Sequence, residues 1–134
     1  MINIKYLIWA LLAGSFIPVV GILNGRVGRA LGEHAFGEGR QALHRGDLNA
    51  AFIWLERAHI LSQRMPLRHA RSHWLMLRAG WQGRDWREVM GQLPRILAAL
   101  LFSRIWVPVG NSGRARVSAF LPMPLSEELQ RLLE

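Results

Sequence analysis

The distribution of hydrophobic and polar residues divides the chain into an apolar beginning and an amphipathic remainder. From residue 4 to residue 23 the only charge is Lys5, and a run of this length can cross a bilayer as one helix. We therefore predict a retained transmembrane anchor over residues 1–24. A cleaved signal peptide is the alternative, although its basic start would rest on Lys5 and the amino terminus alone, and the apolar run is long for one.

The flanks of the predicted span carry unequal positive charge. Arg26, Arg29, Arg40 and Arg45 follow it closely, whereas only Lys5 precedes it. Because cytoplasmic flanks are enriched in basic residues, we expect a single-pass protein of the bacterial inner membrane with its carboxy-terminal domain in the cytoplasm. The expected partners are the lipid bilayer and a membrane protein. Residues 25–39, which are rich in glycine, are predicted to be a linker.

Helical periodicity begins after this stretch. Apolar residues recur at helical spacing over residues 48–62 and again over residues 67–81, with Pro66 between the two segments. These segments predict an antiparallel hairpin whose shared core contains Leu55 and Trp74. Asp47 is the expected N-cap of the first helix.

A similar turn, Gly83-Arg84-Asp85, precedes a third helix that starts at Trp86. Pro94 lies inside this helix and is expected to kink or divide it. The fold class predicted for residues 40–134 is therefore all-α, a small domain of stacked helical hairpins in the tetratricopeptide-like layout. Together with the anchor and the linker, this domain completes the predicted organisation.

The end of the chain predicts less regular structure. Residues 96–102 are apolar but too few to cross a membrane, so we expect a buried helix, with a helix on the membrane surface as the alternative. Residues 107–124 are rich in proline and glycine and predict a surface loop. Ser126 is expected to cap a short final helix that ends near Leu133.

Three histidines are the strongest candidates for chemistry. His69 and His73 are four residues apart and share one helical face, and the predicted hairpin brings His59 towards them. Three imidazoles suit zinc, copper or nickel, and Met65 or Met76 could add a softer ligand or serve a haem. A transition metal or haem is thus one hypothesis, and a buried, hydrogen-bonded histidine cluster is the other.

Composition limits the remaining possibilities. The 134 residues include no cysteine, which excludes disulfides, thiolate zinc sites and cysteine nucleophiles. The sequence contains no nucleophile elbow, phosphate-binding loop or dinucleotide fingerprint, so no catalytic residues are assigned and an enzyme is not expected. Six tryptophans favour an interaction or accessory module instead.

The net charge of +8 favours an acidic partner. Arg68, Arg71 and Arg78 share one predicted helix and are candidates for contacts with an anionic surface. Beside a membrane anchor, lipid headgroups are the simplest such surface. No nucleic-acid-binding motif accompanies these arginines, and no nucleic-acid partner is expected.

Two resemblances cover most of the chain. From about residue 36 to the end, the chain resembles the bacterial domain-of-unknown-function family 3703. The resemblance rests on short segments such as Gly46-Asp47, His73-Trp74-Leu75-Met76-Leu77 and Gly110-Asn111. This resemblance implies a helical fold and no assigned activity. The words Ala13-Gly14-Ser15-Phe16-Ile17-Pro18 and Gly21-Ile22-Leu23-Asn24-Gly25 resemble the first helix of small drug/metabolite-superfamily transporters over about the first 32 residues. Transport by this chain alone is not expected, because such transporters use many helices.

Overall fold

The computed structural model describes residues 20–133, and within them the chain forms five helices joined by turns and one long loop. No strand occurs in this part of the chain, which confirms the all-helical prediction. The helices, in chain order, are α1 (Val20–Arg45), α2 (Leu48–Ser62), α3 (Pro66–Gln82), α4 (Trp86–Phe102) and α5 (Glu127–Leu133).

The prediction of a single-pass membrane protein is wrong for the structure that is described. Between residues 20 and 133, no helix combines the length and the apolar character that crossing a bilayer requires. Most of the predicted anchor, residues 1–19, lies outside the described residues. Its last residues begin helix α1, which continues into charged sequence and packs on α2.

The glycine-rich stretch over residues 25–39, which we predicted to be a linker, is helical. Helix α1 runs through it without interruption. Small residues here allow α1 and α2 to approach closely: a Cβ atom at Gly39 would lie 2.9 Å from Cδ2 of Leu55. Phe36 of α1 and Leu55 of α2 are both completely buried at this interface. Gly39 therefore serves helix packing, and the glycines of this segment do not break the helix.

Two short turns connect the helices into hairpins. Asp47 and Asp85 cap α2 and α4, each side chain accepting a hydrogen bond from the backbone N–H three residues later. The preceding residues, Gly46 and Arg84, both have positive φ, at 74° and 54°. Since so few residues join the helices, α1 and α2 run antiparallel, as do α3 and α4. The two hairpins meet where α2 packs on α3.

The hydrophobic core is small and lies mainly between α1, α2 and α3. Leu55, Met76 and Phe36 are its largest completely buried apolar side chains. Trp74, which we expected beside Leu55, is 52% exposed, so that part of the predicted helical face is wrong. The face of α3 that points inward instead carries His69, Ser72, His73 and Met76.

Helix α4 buries its polar side and exposes its apolar side. Glu88 and Gln92 are completely buried, whereas Trp86, Met90 and Leu97 are each more than half exposed. The helix is not divided at Pro94. The short apolar segment at its end, residues 96–102, is also mostly exposed, contrary to the buried helix predicted for it. The inward polar side of α4 faces the histidines of α2 and α3.

Residues 103–126 cross back over the helices and are held by side chains from them. Gln63, the C-cap residue of α2, donates to the carbonyl of Pro108 and accepts from the N–H of Gly110. Arg114 stacks over the ring of Phe52 at 3.6 Å and pairs with Glu56 at 3.0 Å. The predicted loop is therefore present as irregular structure, but it is fixed to the helices at several points.

Candidate metal centre

Three helical positions bring His59, His69 and His73 together. His59 comes from the last turn of α2, and the other two lie one turn apart on the inward face of α3. All three are buried, with 2%, 7% and 3% of each residue exposed. The sequence-based prediction that a hairpin around Pro66 would bring His59 to the pair on α3 describes this arrangement.

The three rings bring their possible ligand nitrogens within 4.8 Å of one another. Nε2 of His69 lies 2.8 Å from Nε2 of His59 and 3.2 Å from Nε2 of His73. The ring centroids are 4.6 to 4.9 Å apart, and the ring planes are inclined to one another. The three lone-pair positions therefore face a common small volume.

The other ring nitrogen, Nδ1, meets a hydrogen-bond acceptor in His59 and in His69. Nδ1 of His59 lies 2.9 Å from the backbone carbonyl oxygen of Asn111, which can only accept. Nδ1 of His69 lies 2.6 Å from the hydroxyl oxygen of Ser103, whose own proton is donated to the carbonyl of Ala99. In both histidines, Nδ1 therefore carries the proton.

The same holds for His73, whose Nδ1 lies 2.7 Å from Oε1 of Gln92. The amide of Gln92 is oriented from its other end, where Nε2 donates to the carboxylate of Glu88 at 2.7 Å and to the carbonyl of Gly113 at 2.9 Å. Because both of those groups are acceptors, the amide oxygen must face His73 and accept from it.

Neutral rings with the proton on Nδ1 leave three Nε2 lone pairs pointing at each other. Burial, which disfavours the charged imidazolium, lowers the pKa of His69 to about 4 and that of His73 to about 3. Burial together with the adjacent His73 and His69 lowers the pKa of His59 well below 6.5. Protonating a ring to the imidazolium is thus unfavourable. If all three rings stay neutral, however, the Nε2 acceptors face one another without a proton between them.

A buried carboxylate lies behind the cluster. Glu88 is completely buried and reaches His73 only through the amide of Gln92. Its Oε1 accepts from the N–H of Ala115 and lies 3.3 Å from Nε of Arg114. Glu88 is therefore linked to the cluster through Gln92, and it is not itself a ligand.

A family comparison can now be set beside this geometry. Residues 27–133 match a family described as a protein of unknown function (DUF3703). The chain belongs to this family. No curated protein and no solved structure matches the chain. The DUF3703 resemblance inferred from the sequence is confirmed, whereas nothing supports the resemblance of the first 32 residues to a transporter helix.

The DUF3703 region also contains the loop that completes the cluster. Gly113 has a φ of 81°, and a Cβ atom there would lie 2.7 Å from Cδ2 and 2.8 Å from Nε2 of His59. Only glycine fits both the backbone conformation and the space against the ring. The loop thus supplies the Nδ1 acceptor of His59 from Asn111 and a close backbone wall from Gly113.

The remaining residues predicted from the sequence lie elsewhere. Arg68 and Arg71 are 3.3 and 3.6 Å from the carboxylate of Glu33 on α1, so they join two helices. Arg78 is exposed. Met76 contacts Gln92 through its sulfur, and Met65 precedes the first residue of α3.

Sequence reasoning missed the residues that surround the histidines: Gln92, Ser103, Asn111, Gly113 and Glu88. One signal was available in α4. Glu88, Gln92, Ala99 and Ser103 follow one another at intervals of four, seven and four residues, the spacing of a single helical face. The large apolar residues on the opposite face drew attention away from this polar stripe.

Proposed function

We propose that the protein binds one transition-metal ion through Nε2 of His59, His69 and His73. The observation that carries the proposal is the close approach of the three buried rings. In each of these rings, the other nitrogen, Nδ1, faces a hydrogen-bond acceptor. Metal-ligating histidines in proteins typically donate the other ring N–H to a carbonyl, carboxylate or similar group, which fixes the ring orientation. Here all three rings have such a partner.

A positive ion resolves the electrostatic conflict within the cluster. Three lone pairs that face each other in a buried site repel, and no N–H is left to lie between them. A divalent cation at their focus would convert each repulsion into a coordinate bond. Neutral histidine is also the form that binds metals, so the depressed pKa values keep the ligands ready at neutral pH.

The donor set indicates which ions fit. Imidazole nitrogen suits zinc, copper, nickel and iron, and bonds of about 2.0–2.1 Å at tetrahedral angles place ligand nitrogens about 3.3 Å apart. The Nε2 separations of 2.8 and 3.2 Å need to widen by only a few tenths of an ångström. A haem does not fit, because a macrocycle cannot be inserted among three ring nitrogens this close together.

Three protein ligands leave a tetrahedral ion with an open position. Structural zinc sites usually have four protein ligands, whereas three protein ligands plus a water or substrate molecule are typical of catalytic sites. No fourth ligating side chain joins the three histidines in the described part of the chain. The proposed ion would therefore keep one position for an outside ligand.

The rival interpretation is a metal-free cluster that holds one extra proton. The separation of 2.8 Å between His59 and His69 is also the length of an N–H···N hydrogen bond. Such a bond requires one ring to be an imidazolium, since every Nδ1 proton is already committed. Burial makes this charge costly, which is why the metal-bound state is the better explanation.

The direct test is metal binding by the full-length chain after treatment with a chelator. We expect one Zn²⁺ or Co²⁺ per chain in equilibrium dialysis, with Co²⁺ giving visible absorption bands of a four-coordinate site. His69→Gln should abolish stoichiometric binding. His44→Gln is the matched control, because His44 is exposed at the end of α1 and should bind as wild type does. Negligible metal in the wild-type protein would rule out the proposal.

An interaction module stays a prediction beside this proposal. What supports it is the exposed apolar side of α4, where Trp86, Met90, Leu93 and Leu97 follow each other at intervals of three and four residues. Contiguous exposed apolar surface of this kind is typical of contact sites. Nothing in the described residues indicates which surface covers it.

A further inference from the structure

A pocket of about 390 Å³ opens beside the three histidines. His59, His69 and His73 form one wall, and Phe102, Trp106 and Phe120 form much of the rest. The rings of Trp106 and Phe120 are stacked 6.2 Å apart and remain 44% and 77% exposed. The volume is in the range of small-molecule sites, which are mostly apolar with a few convergent polar groups.

Among the described residues, Arg95 is the one arginine that lines this pocket. Its guanidinium is fixed by two hydrogen bonds, from Nη1 to the carbonyl of Gly91 at 2.7 Å and from Nη2 to the carbonyl of Val117 at 2.8 Å. Arginine has five N–H donors, so further donors stay available for a ligand. Aliphatic and aromatic surface thus surrounds a fixed positive charge.

The charges around the pocket do not balance once a divalent ion is present. Three neutral imidazoles leave the ion with its full charge, and Arg95 adds another positive charge. Glu88 is the buried carboxylate of the described residues, but it is already within 3.6 Å of both Arg114 and Arg116. An anion in the open coordination position would offset this excess.

We infer that the pocket binds a small monocarboxylate with an aromatic or branched apolar body, its carboxylate on the metal ion and Arg95 and its body against Phe102, Trp106 and Phe120. This inference rests on the proposed metal centre and names the class of its outside ligand. A carboxylate meets both requirements of the polar end, because it is a good metal ligand and a good partner for guanidinium. The exposed aromatic pair supplies the surface that the apolar body would cover.

The experiment uses the full-length protein loaded with Co²⁺ and follows the visible spectrum while benzoate or acetate is added. Both anions should shift the spectrum, because each can take the open position. We expect benzoate to bind at least tenfold more tightly than acetate, since only benzoate reaches the aromatic wall. Benzyl alcohol, which has the ring without the charge, should leave the spectrum unchanged at the same concentrations.

Three variants separate the contributions. Phe120→Ala should weaken benzoate binding about threefold to tenfold and leave acetate binding unchanged. Arg95→Gln should weaken both anions about tenfold. Arg104→Gln is the matched control. It also removes one positive charge, but Arg104 is exposed and does not line the pocket.

The outcomes distinguish this inference from the metal proposal. Absence of Co²⁺ bands in the wild-type protein overturns both. Normal Co²⁺ bands that neither anion changes would leave the metal centre standing and overturn the carboxylate site. Equal affinity for benzoate and acetate, or an unchanged benzoate affinity in Phe120→Ala, would also overturn it, because the anion would then bind without using the apolar wall.

Discussion

Gln92 Oε1 accepts a hydrogen bond from Nδ1 of His73 at 2.7 Å, and the direction of this bond is fixed by what the same amide does at its other end. Nε2 of Gln92 donates to the carboxylate of Glu88 and to the carbonyl of Gly113, and both of these groups can only accept. The proton of His73 is therefore placed on Nδ1 by groups that do not touch the ring. Similar constraints from Ser103 and Asn111 give the three histidines one common tautomer.

This common tautomer can be measured directly. In the metal-free protein at pH 7.5, we expect all three buried histidines to carry the proton on Nδ1 and a lone pair on Nε2, because each Nδ1 faces an acceptor. Long-range ¹H–¹⁵N correlation spectra distinguish the two tautomers from the imidazolium. His34 and His44 are exposed and serve as internal references in the same spectrum. A buried imidazolium at this pH would favour the proton-sharing cluster over the metal centre.

The metal-free protein should lose stability in weak acid. The pKa values of about 4 for His69 and about 3 for His73 lie below the usual value of 6.5. At a pH between the native value and 6.5, these histidines are protonated in the unfolded chain but neutral in the native protein. The free energy of unfolding therefore falls as the pH drops below about 6.5, by about 2 kcal/mol for each histidine at pH 5. The loss levels off below the native pKa values.

Urea denaturation at pH 7.5 and pH 5 measures this effect. His69→Gln should lose less unfolding free energy between the two pH values, because one histidine with a lowered pKa is gone. His44→Gln should match the wild-type loss, since its ring is exposed in both states. Equal stability of the wild-type protein at both pH values would mean that the buried rings are already protonated or are not buried in solution.

Ser103→Ala should lower metal affinity without unfolding the protein. The variant removes the acceptor of Nδ1 of His69, and loss of such an outer partner typically costs 10-fold to 100-fold in affinity. Competition against a colorimetric zinc chelator gives the dissociation constants. Ser62→Ala is the matched control, because its buried hydroxyl donates to the carbonyl of Ala58 and contacts no ring nitrogen. Equal losses in both variants would indicate a general destabilisation.

Gly113→Ala should impair both stability and the site. A left-handed backbone costs a residue with a Cβ atom about 1–2 kcal/mol, and here that atom would also press on the ring of His59. Urea denaturation and zinc titration should both report the damage. Gly37→Ala should have the opposite sign, a gain of about 0.5–1 kcal/mol, because that glycine is helical and nothing lies near its Cβ position. A harmless Gly113→Ala would show that the loop does not hold His59 in place.

The corrected inward faces of α2 and α3 predict unequal effects of two truncations. Leu55→Ala empties a completely buried position and should lower the free energy of unfolding by about 2–5 kcal/mol. Trp74→Ala should cost at most about half of the 3–5 kcal/mol of a fully buried aromatic, because its residue is 52% exposed. Urea denaturation of both variants decides the point, and a larger loss for Trp74 would contradict the face assigned to α3.

The helices were predictable where local signals agree. Asp47 and Asp85 are strong N-caps, and the apolar spacing between them is helical, so α2 was predicted with the bounds it has in the structure. The glycine-rich part of α1 was missed, because glycine is unfavourable in an isolated helix. Close packing of Gly39 on Leu55 outweighs that preference, and such a contact is absent from any local pattern.

The histidine cluster was also predictable, but its surroundings were not. The four-residue spacing of His69 and His73 is a local property, and the short turn before Pro66 suffices to add His59. The partners Ser103 and Asn111 are 34 and 52 residues away from the rings that they contact. Amphipathic helices usually bury their apolar side. Helix α4 does the reverse, because Gln92 and Glu88 on its polar side are buried while the apolar side is exposed.

The position of the cluster across the two hairpins has a consequence for cooperativity. His59 belongs to the hairpin of α1 and α2, whereas His69 and His73 belong to the hairpin of α3 and α4, and the packing within each hairpin is more extensive than the packing between them. An ion bound to all three rings would be a crosslink across the weaker seam. At a free ion concentration 100 times the dissociation constant it would add about 2.7 kcal/mol to the free energy of unfolding. Hydrogen exchange should then convert from separate opening of each hairpin in the metal-free chain to one joint opening in the loaded chain.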